Sequence, residues 1–350
     1  MPRLRDELAL LDQLRAIHEA IRDEVVAACT RSSSEELAAS TGKEGGDVIY
    51  AVDRLSERVL LERFATLAQE WPCLLIAEGL GRDGRRLLPR GIREQDAEIV
   101  VLVDPIDGTR GLMYQKRSAW VLTGVAPYRS AGLELTDIRL AVQTEIPLVK
   151  QHLSDAAWAV AGAGATAERY DRVAGRRAPL ALRPSQETTI DHGFGGLAKF
   201  FSGTRGELGA IDDAVVARLL GAAGRIGPGD EVGHGDSDAL VFDDQYISSG
   251  GQLYELMAGH DRWIADVRPL LLPGLRARGL PSPLCAHPYD LASELVAREA
   301  GVVVSDPSGR PLAAPLDVTT DVAWVGFANR HLARTVGEAL GAELRARGLA

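Results

Sequence analysis

Leu4, Leu8, Leu11, Leu14, Ile17, Ile21 and Val25 recur at intervals of three and four with charges between them, which predicts an amphipathic helix over Met1–Thr30. Val52, Leu55, Val59, Leu60, Phe64 and Leu67 predict a second helix from Ala51 to about Ala68. A short strand is expected at Cys73–Ala77. The run Glu98–Asp104, EIVVLVD, is apolar, β-branched and closed by an acid, the pattern of a buried central strand with a site at its carboxyl end. Further strands are predicted at Ala119–Ala126, Ile138–Ile146 and Ala156–Ala161, and the charged stretch Arg169–Thr189 reads as loop. Beyond it, helical patterns at Ile211–Ala222, Gln252–Ala258, Leu291–Ala300 and Arg330–Ala346 alternate with short strands at Val302–Val304 and Val322–Phe327. That alternation predicts an α/β architecture built in layers. Gly224–Asp238, rich in Gly and Asp, and Arg268–His287, with four prolines among basic residues, read as surface loops, the first of them a mobile loop or lid.

The length of 350 residues suits two lobes, with the division expected near residues 185–200, giving 1–195 and 196–350. Acids outnumber Lys and Arg by 49 to 39, and no basic run occurs, which argues against a nucleic acid polymer as partner. Cys29, Cys73 and Cys285 are odd in number and widely spaced, matching neither a disulfide framework nor a zinc site. With no signal-like segment and no stretch of about 18 apolar residues, the expectation is a soluble cytoplasmic protein with no membrane partner.

The segment Val103–Met113, VDPIDGTRGLM, carries the most chemistry. A strand end delivers Asp104, Pro105 stiffens the exit, and Asp107 follows within a turn. Paired carboxylates of this kind suit a hard cation such as Mg²⁺, which takes one or two carboxylates, waters and phosphate oxygens. The N–H groups of Gly108 and Thr109 can meet a phosphate where a helix begins. The same letters also describe an ordinary Pro-containing turn with solvated acids.

DPIDGT at Asp104–Thr109 resembles the signature of the inositol monophosphatase family, which is related to fructose-1,6-bisphosphatase and the bisphosphate nucleotidases. Other pieces resemble that family in the right order: Lys43 with GGDVIYAVD ending at Asp53 and then Glu57, LLIAEG at Leu74–Gly79, and AWAVAGAGA at Ala157–Ala165. SGGQLYELMAGHDRWIAD at Ser249–Asp266 and HPYDLASELVAREAGVVV at His287–Val304 complete the series, which covers about residues 40 to 330.

The resemblance implies a layered α-β-α-β-α sandwich of the sugar phosphatase type and a Mg²⁺-dependent, lithium-sensitive phosphatase using two or three ions. It implies that Glu78, Asp104 and the Ile106 carbonyl hold one ion, and Asp104, Asp107 and Asp290 another. Asp53 with Thr109 would orient and deprotonate water, and Lys43, Gly108, Thr109, Gly250, Gly251 and Asp266 would contact substrate. The implied substrate is a small phosphorylated sugar, polyol or inositol. A bisphosphate nucleotidase, a fructose bisphosphatase and a catalytically silent phospholigand-binding protein are the alternatives, and a homodimer is implied by family alone. Each residue also has a plain reading: Asp53 as a solvated helix charge, Glu78 as a surface acid, Asp290 as a first-turn acid, Lys43 as a loop cation.

The sequence departs from the family at Gly79, where a second acid is usual, at Gly111-Leu112, usually Asn-Phe, and at Tyr289, usually Trp. Pro283 stands where inositol phosphatases carry a Glu for the ring hydroxyls, leaving Asp266 as its analogue across an insertion. Arg268, Arg276 and Arg278 can reach a second phosphate or a carboxylate, although arginines in loops usually face solvent. GAGATA at Gly162–Ala167 matches a dinucleotide turn in isolation only, since the acid about 20 residues on, Glu187, follows a polar run.

Overall fold

The computed structural model describes residues 4–37, 40–44, 47–80, 83–130, 132–224 and 240–349, and at 34, 40–44 and 47–56 the backbone only. The strands are β1 (Ser40–Glu44), β2 (Asp47–Tyr50), β3 (Cys73–Ala77), β4 (Arg85–Leu88), β5 (Ile99–Asp107), β6 (Ala119–Pro127), β7 (Leu140–Ile146) and β8 (Leu153–Val160), followed by β9 (Ala165–Asp171), β10 (Arg176–Leu180), β11 (Gly193–Leu197), β12 (Val241–Phe242), β13 (Asp261–Asp266), β14 (Val303–Ser305) and β15 (Trp324–Phe327). The helices are α1 (Glu7–Arg31), α2 (Ser34–Leu37), α3 (Ala51–Leu67), α4 (Thr109–Met113), α5 (Arg205–Ala222), α6 (Ser249–Ala258), α7 (Arg268–Ala277), α8 (Glu294–Glu299) and α9 (Arg330–Ala346).

Two larger sheets carry the fold, one in the order β10-β9-β8-β7-β6-β5-β3-β4 and the other β12-β11-β13-β15-β14. The continuous apolar run of β5 is explained by what lies on its two faces. Val101 and Val103 enter a core shared with Leu14, Ile21, Leu60 and Phe64 of α1 and α3, whereas Val100 and Leu102 enter a second core with Leu253, Leu256, Leu295 and Val296 of α6 and α8. A strand buried on both faces loses the polar half of its alternation. The helices α6 and α8 also touch the second sheet, and α5 and α9 cover its far side. The order is therefore helix, sheet, helix, sheet, helix, the expected α-β-α-β-α sandwich.

Several local expectations need correction. Leu8 is 71% exposed, and Leu10 takes the buried place on α1. The stretch 169–189 is not all loop, because β9 and β10 pair as an antiparallel ladder at the edge of the larger sheet. Arg176 and Arg177 stay exposed there, the charged lettering of an edge strand. Arg268–His287 begins with α7, whose apolar face buries Leu271, Leu272 and Leu275, while Arg276 and Arg278 are exposed as expected of loop charges. The Gly/Asp stretch lies outside the described residues beyond Gly224. GAGATA supplies the turn between the antiparallel strands β8 and β9 with Gly162–Gly164 and begins β9 with its last three residues, so it opens no helix. The N–H groups of Gly162 and Gly164 donate to the two carboxylate oxygens of Glu299 at 2.7 and 2.8 Å, so an anion from within the chain meets that turn. Cys29, Cys73 and Cys285 are free and buried.

α1 is tied to the larger sheet by one buried imidazole. His18 lies between Thr123 on β6 and Thr144 on β7, with ring nitrogens 2.7 and 3.1 Å from the two hydroxyls. Burial lowers its pKa from 6.5 to about 3. Above pH 6.5 the ring is neutral in both folded and unfolded chains. Below it the unfolded chain binds the extra proton, so stability present near neutrality falls as pH drops toward 3. The loss is about 1.4 kcal/mol per pH unit well below the unfolded pKa. His18→Gln should remove this share of the pH dependence. Melting temperatures of both proteins from pH 7 to 5 check it, and parallel curves would refute it.

Candidate metal centre

Strict alternation along β5 would send Asp104 and Asp107 to opposite faces, since they are an odd number of residues apart. The ladder avoids this with a bulge. Asp104 pairs opposite Leu122 and Asp107 opposite Trp120, so Pro105 and Ile106 insert one extra residue. Pro105 has no N–H for the ladder, and the Ile106 N–H donates instead to Asp104 Oδ1 at 2.9 Å. The strand thus runs through the motif to Asp107, three residues beyond the expected end. Gly108 then takes a φ of 97°, and α4 begins at Thr109, whose Oγ1 donates to the Ile106 carbonyl at 2.8 Å. A Cβ at Gly108 would stand 3.1 Å from the Ser248 Cβ, so glycine serves both the left-handed turn and the close approach.

The other acids arrive from distant parts of the chain. Parallel pairing of Ala77 with Val103 leaves Glu78 one residue past β3, level with Asp104. Asp290 sits in a short 3₁₀ turn, Pro288–Leu291, where its Oδ2 accepts the His287 N–H at 2.6 Å. Carboxylate oxygens of Asp104, Asp107 and Asp290 all lie within 4.8 Å of one another. These three, with Glu78, Ile106, Gly108 and Thr109, line one cavity, and His287 and Tyr289 complete that side as a stacked ring pair with centroids 5.4 Å apart.

Burial, then the charges of Asp107, Asp290 and Glu78, push the Asp104 carboxyl well above its ordinary range. Burial raises Asp107 to about 7 against the opposing pull of hydrogen bonds from Gly250 and Ser248. Burial and the neighbouring Asp107 also raise Asp290. Crowded, desolvated carboxylates repel one another, and either a proton or a bound divalent cation relieves this. The donor set is all oxygen, the chemistry Mg²⁺ prefers, so these residues fit such an ion.

The remaining expected site residues divide. Lys43 lies on β1 and Asp53 on α3, and their side chains fall outside the described residues. Gly250 and Gly251 open α6, with the Gly250 N–H on Asp107 Oδ2 at 2.6 Å and the Gly251 N–H on Ser248 Oγ at 2.8 Å. Ser248 Oγ in turn donates to Asp107 Oδ2 at 2.8 Å. The cavity is lined here by Ser248 and Ser249, and the glycines allow α6 to approach Leu122 and Tyr246. Asp266 is buried and turned to Arg268, whose Nε and Nη2 donate to its two oxygens at 2.8 and 2.5 Å. It therefore faces an arginine, where a ring hydroxyl was expected. Ser248, Arg268 and the pair Phe200 and Phe201 are cavity residues that the sequence reading missed as such or left among loop charges. The N-cap position of Ser248 before a glycine pair was the available signal for the first.

No protein-family model matches the sequence, and no curated protein matches it. Solved structures do. A fructose-1,6-bisphosphatase from Leishmania major, in holo form, superposes with a TM-score of 0.66 over 98% of this chain and 96% of its own at 13% identity. The extragenic suppressor protein suhB from Bartonella henselae gives 0.60 over 95% and 98% at 14% identity. An inositol monophosphatase from Anabaena gives 0.58 over 97% and 98% at 16% identity. The chain is thus a five-layer α/β protein. Its fold is that of the inositol monophosphatase and fructose-1,6-bisphosphatase structures. No helix among the described residues is long and apolar enough to cross a membrane.

Proposed function

We propose that this chain is a Mg²⁺-dependent phosphatase that hydrolyses a phosphate monoester of a small sugar, polyol or inositol. The observation that carries the reading is the convergence of Asp104, Asp107 and Asp290 within 4.8 Å, beside Glu78, in a fold shared with sugar and inositol phosphatases. Glu78, Asp104, Asp107, Asp290 and the Ile106 carbonyl would hold the ions. When bound, they would supply charge neutralisation for the phosphoryl group and a lowered pKa for water.

The chain's own groups do the positioning. Gly108 and Thr109, facing the cavity at the start of α4, would receive phosphate oxygens through backbone N–H groups. Asp53 and Thr109 are the pair assigned to orient the attacking water and accept its proton, with Lys43 near the phosphate. Thr109 Oγ1, bound to the Ile106 carbonyl, is held in a fixed rotamer for that task. Asp107 is oriented by hydrogen bonds from Ser248 and Gly250 to its Oδ2.

The test is phosphate release from sugar phosphates, inositol phosphates and nucleotide bisphosphates, first with Mg²⁺ and then with EDTA. Release that EDTA abolishes and lithium inhibits is the expected result. Absence of release across the panel, with the protein folded, would favour a phospholigand-binding protein without catalysis.

A further inference from the structure

Two segments that serve the aspartate cluster meet at one buried amide. Gln143 on β7 is fully buried, opposite Leu122 on β6, which in turn lies opposite Asp104 on β5. Its Nε2 donates to the Gly250 carbonyl at 2.7 Å, and its Oε1 accepts from Ser293 Oγ at 2.8 Å. The placing of the two amide atoms follows from the partners. A carbonyl only accepts, so it must face the NH₂ group, and the serine hydroxyl then donates to the remaining oxygen. A buried amide left unbonded at either end would lower stability, and here both ends are satisfied.

Each bond leads to a different aspartate. Gly250 also donates its N–H to Asp107 Oδ2 at 2.6 Å, so the residue that orients Asp107 is itself held by Gln143. Ser293 follows the 3₁₀ turn that presents Asp290. That turn is closed on itself by the Asp290 N–H on the His287 carbonyl at 3.1 Å and the Ala292 N–H on the Tyr289 carbonyl at 3.2 Å. Ser293 occupies the N-cap position of α8 yet makes no capping bond with its side chain. A serine there ordinarily accepts a backbone N–H from the first turn of its helix. This hydroxyl is committed to the sheet instead. Gly124 on β6 allows the close approach, because a Cβ there would strike the Ala292 carbonyl oxygen.

We propose that Gln143 is a positioning residue for the metal centre, fixing the separation of Asp107 from the Asp290 turn and with it the affinity of the site for a divalent cation. The proposal rests on the metal-dependent phosphatase reading. Ionised carboxylates within 4.8 Å of one another push their segments apart. The amide opposes this through neutral hydrogen bonds and adds no charge to the cluster. A fully bonded polar network in a core holds its members in one arrangement, which suits an ion that demands near-octahedral geometry.

Gln143→Met keeps the length and apolar bulk of the side chain and removes both bonds. The measurement is calorimetric titration of metal-stripped protein with Mg²⁺ alone. The dissociation constant should rise by about 10-fold, the lower end of the span for groups that orient metal ligands, since the link to Asp107 is relayed through Gly250. Phosphate release should need correspondingly more Mg²⁺ for its half-maximum, with kcat recovered at saturation. Thr144→Val is the control, because Thr144 is the next residue on the same strand and bonds to His18 on the opposite face. It should lower the melting temperature and leave the Mg²⁺ constant unchanged. Ser293→Ala severs one of the two bonds and should weaken Mg²⁺ binding by less. In the double variant the two effects should not add, because both act through one link. An unchanged Mg²⁺ constant in Gln143→Met, or equal weakening in Thr144→Val, would overturn the positioning role and leave the phosphatase reading standing. If Gln143→Met does not fold, Ser293→Ala decides by the same criterion. No Mg²⁺ binding by the parent would overturn the metal centre and the proposal together.

Discussion

Asp104→Asn is expected to lower Mg²⁺-dependent phosphate release by about a thousandfold, the scale on which removal of a major electrostatic group acts in a desolvated site. Asp104 is the acid most enclosed by the others, with Asp107, Asp290 and Glu78 all adding to the cost of its charge. The amide keeps the shape and one oxygen acceptor, so the Ile106 N–H at Oδ1 retains a partner and the bulge survives. Removing one of several crowded charges also relieves repulsion in the metal-free protein. In EDTA the variant should therefore melt no lower than the parent. Adding Mg²⁺ should raise the melting temperature of the parent alone, because only a folded site that grips the ion gains stability from it. Unchanged turnover, or equal Mg²⁺ shifts in both proteins, would remove Asp104 from the metal centre.

Gly250→Ala should damage the same site from the opposite side. Its Cβ would stand 2.5 Å from a Leu122 methyl, closer than packed atoms tolerate, and 3.0 Å from Asp107 Oδ2, a contact that requires a shift of a few tenths of an ångström. Leu122 is fully buried, so α6 must retreat, and it takes with it the Gly250 N–H that holds Asp107. Overpacking of this kind costs about 1 to 3 kcal/mol of stability. Turnover should fall by about a hundredfold, since displacement of a positioned group by about 1 Å has that effect on rate. Denaturant unfolding and steady-state kinetics on one preparation check both parts. A rise in KM with kcat unchanged would instead return Gly250 to a substrate-contacting role.

Much of this was legible in the chain because the relevant patterns are local. Cys73–Ala77 and Arg330–Ala346 have the bounds that periodicity predicts, and β5 was identifiable from five apolar residues in a row. The order Glu78, Asp104, Asp107, Asp290 along the sequence anticipated residues that line one cavity. What escaped depends on partners chosen in three dimensions. The bulge at Pro105 and Ile106 is a property of the β5 and β6 ladder, and no single strand displays it. Arg268 looked like a loop charge because its burial depends on Asp266, Leu284 and two phenylalanines more than sixty residues earlier. β9 and β10 carry polar letters on an exposed edge, where alternation is weak. The glycine turn at 162–164 suggested an external anion, and only the fold brings Glu299 there.

The bond between Asp107 and the start of α6 joins residues 143 apart in sequence, and Asp290 enters later still. During synthesis, Glu78, Asp104 and Asp107 are all present long before the segment that completes their cluster has been made. The strands that display them precede Asp290 in the chain, and the cluster of three aspartates is complete only when the later segment folds back beside them. A product ending after α6 would keep the hexapeptide Asp104–Thr109 and lack Asp290, so the motif and the complete acidic cluster are separable.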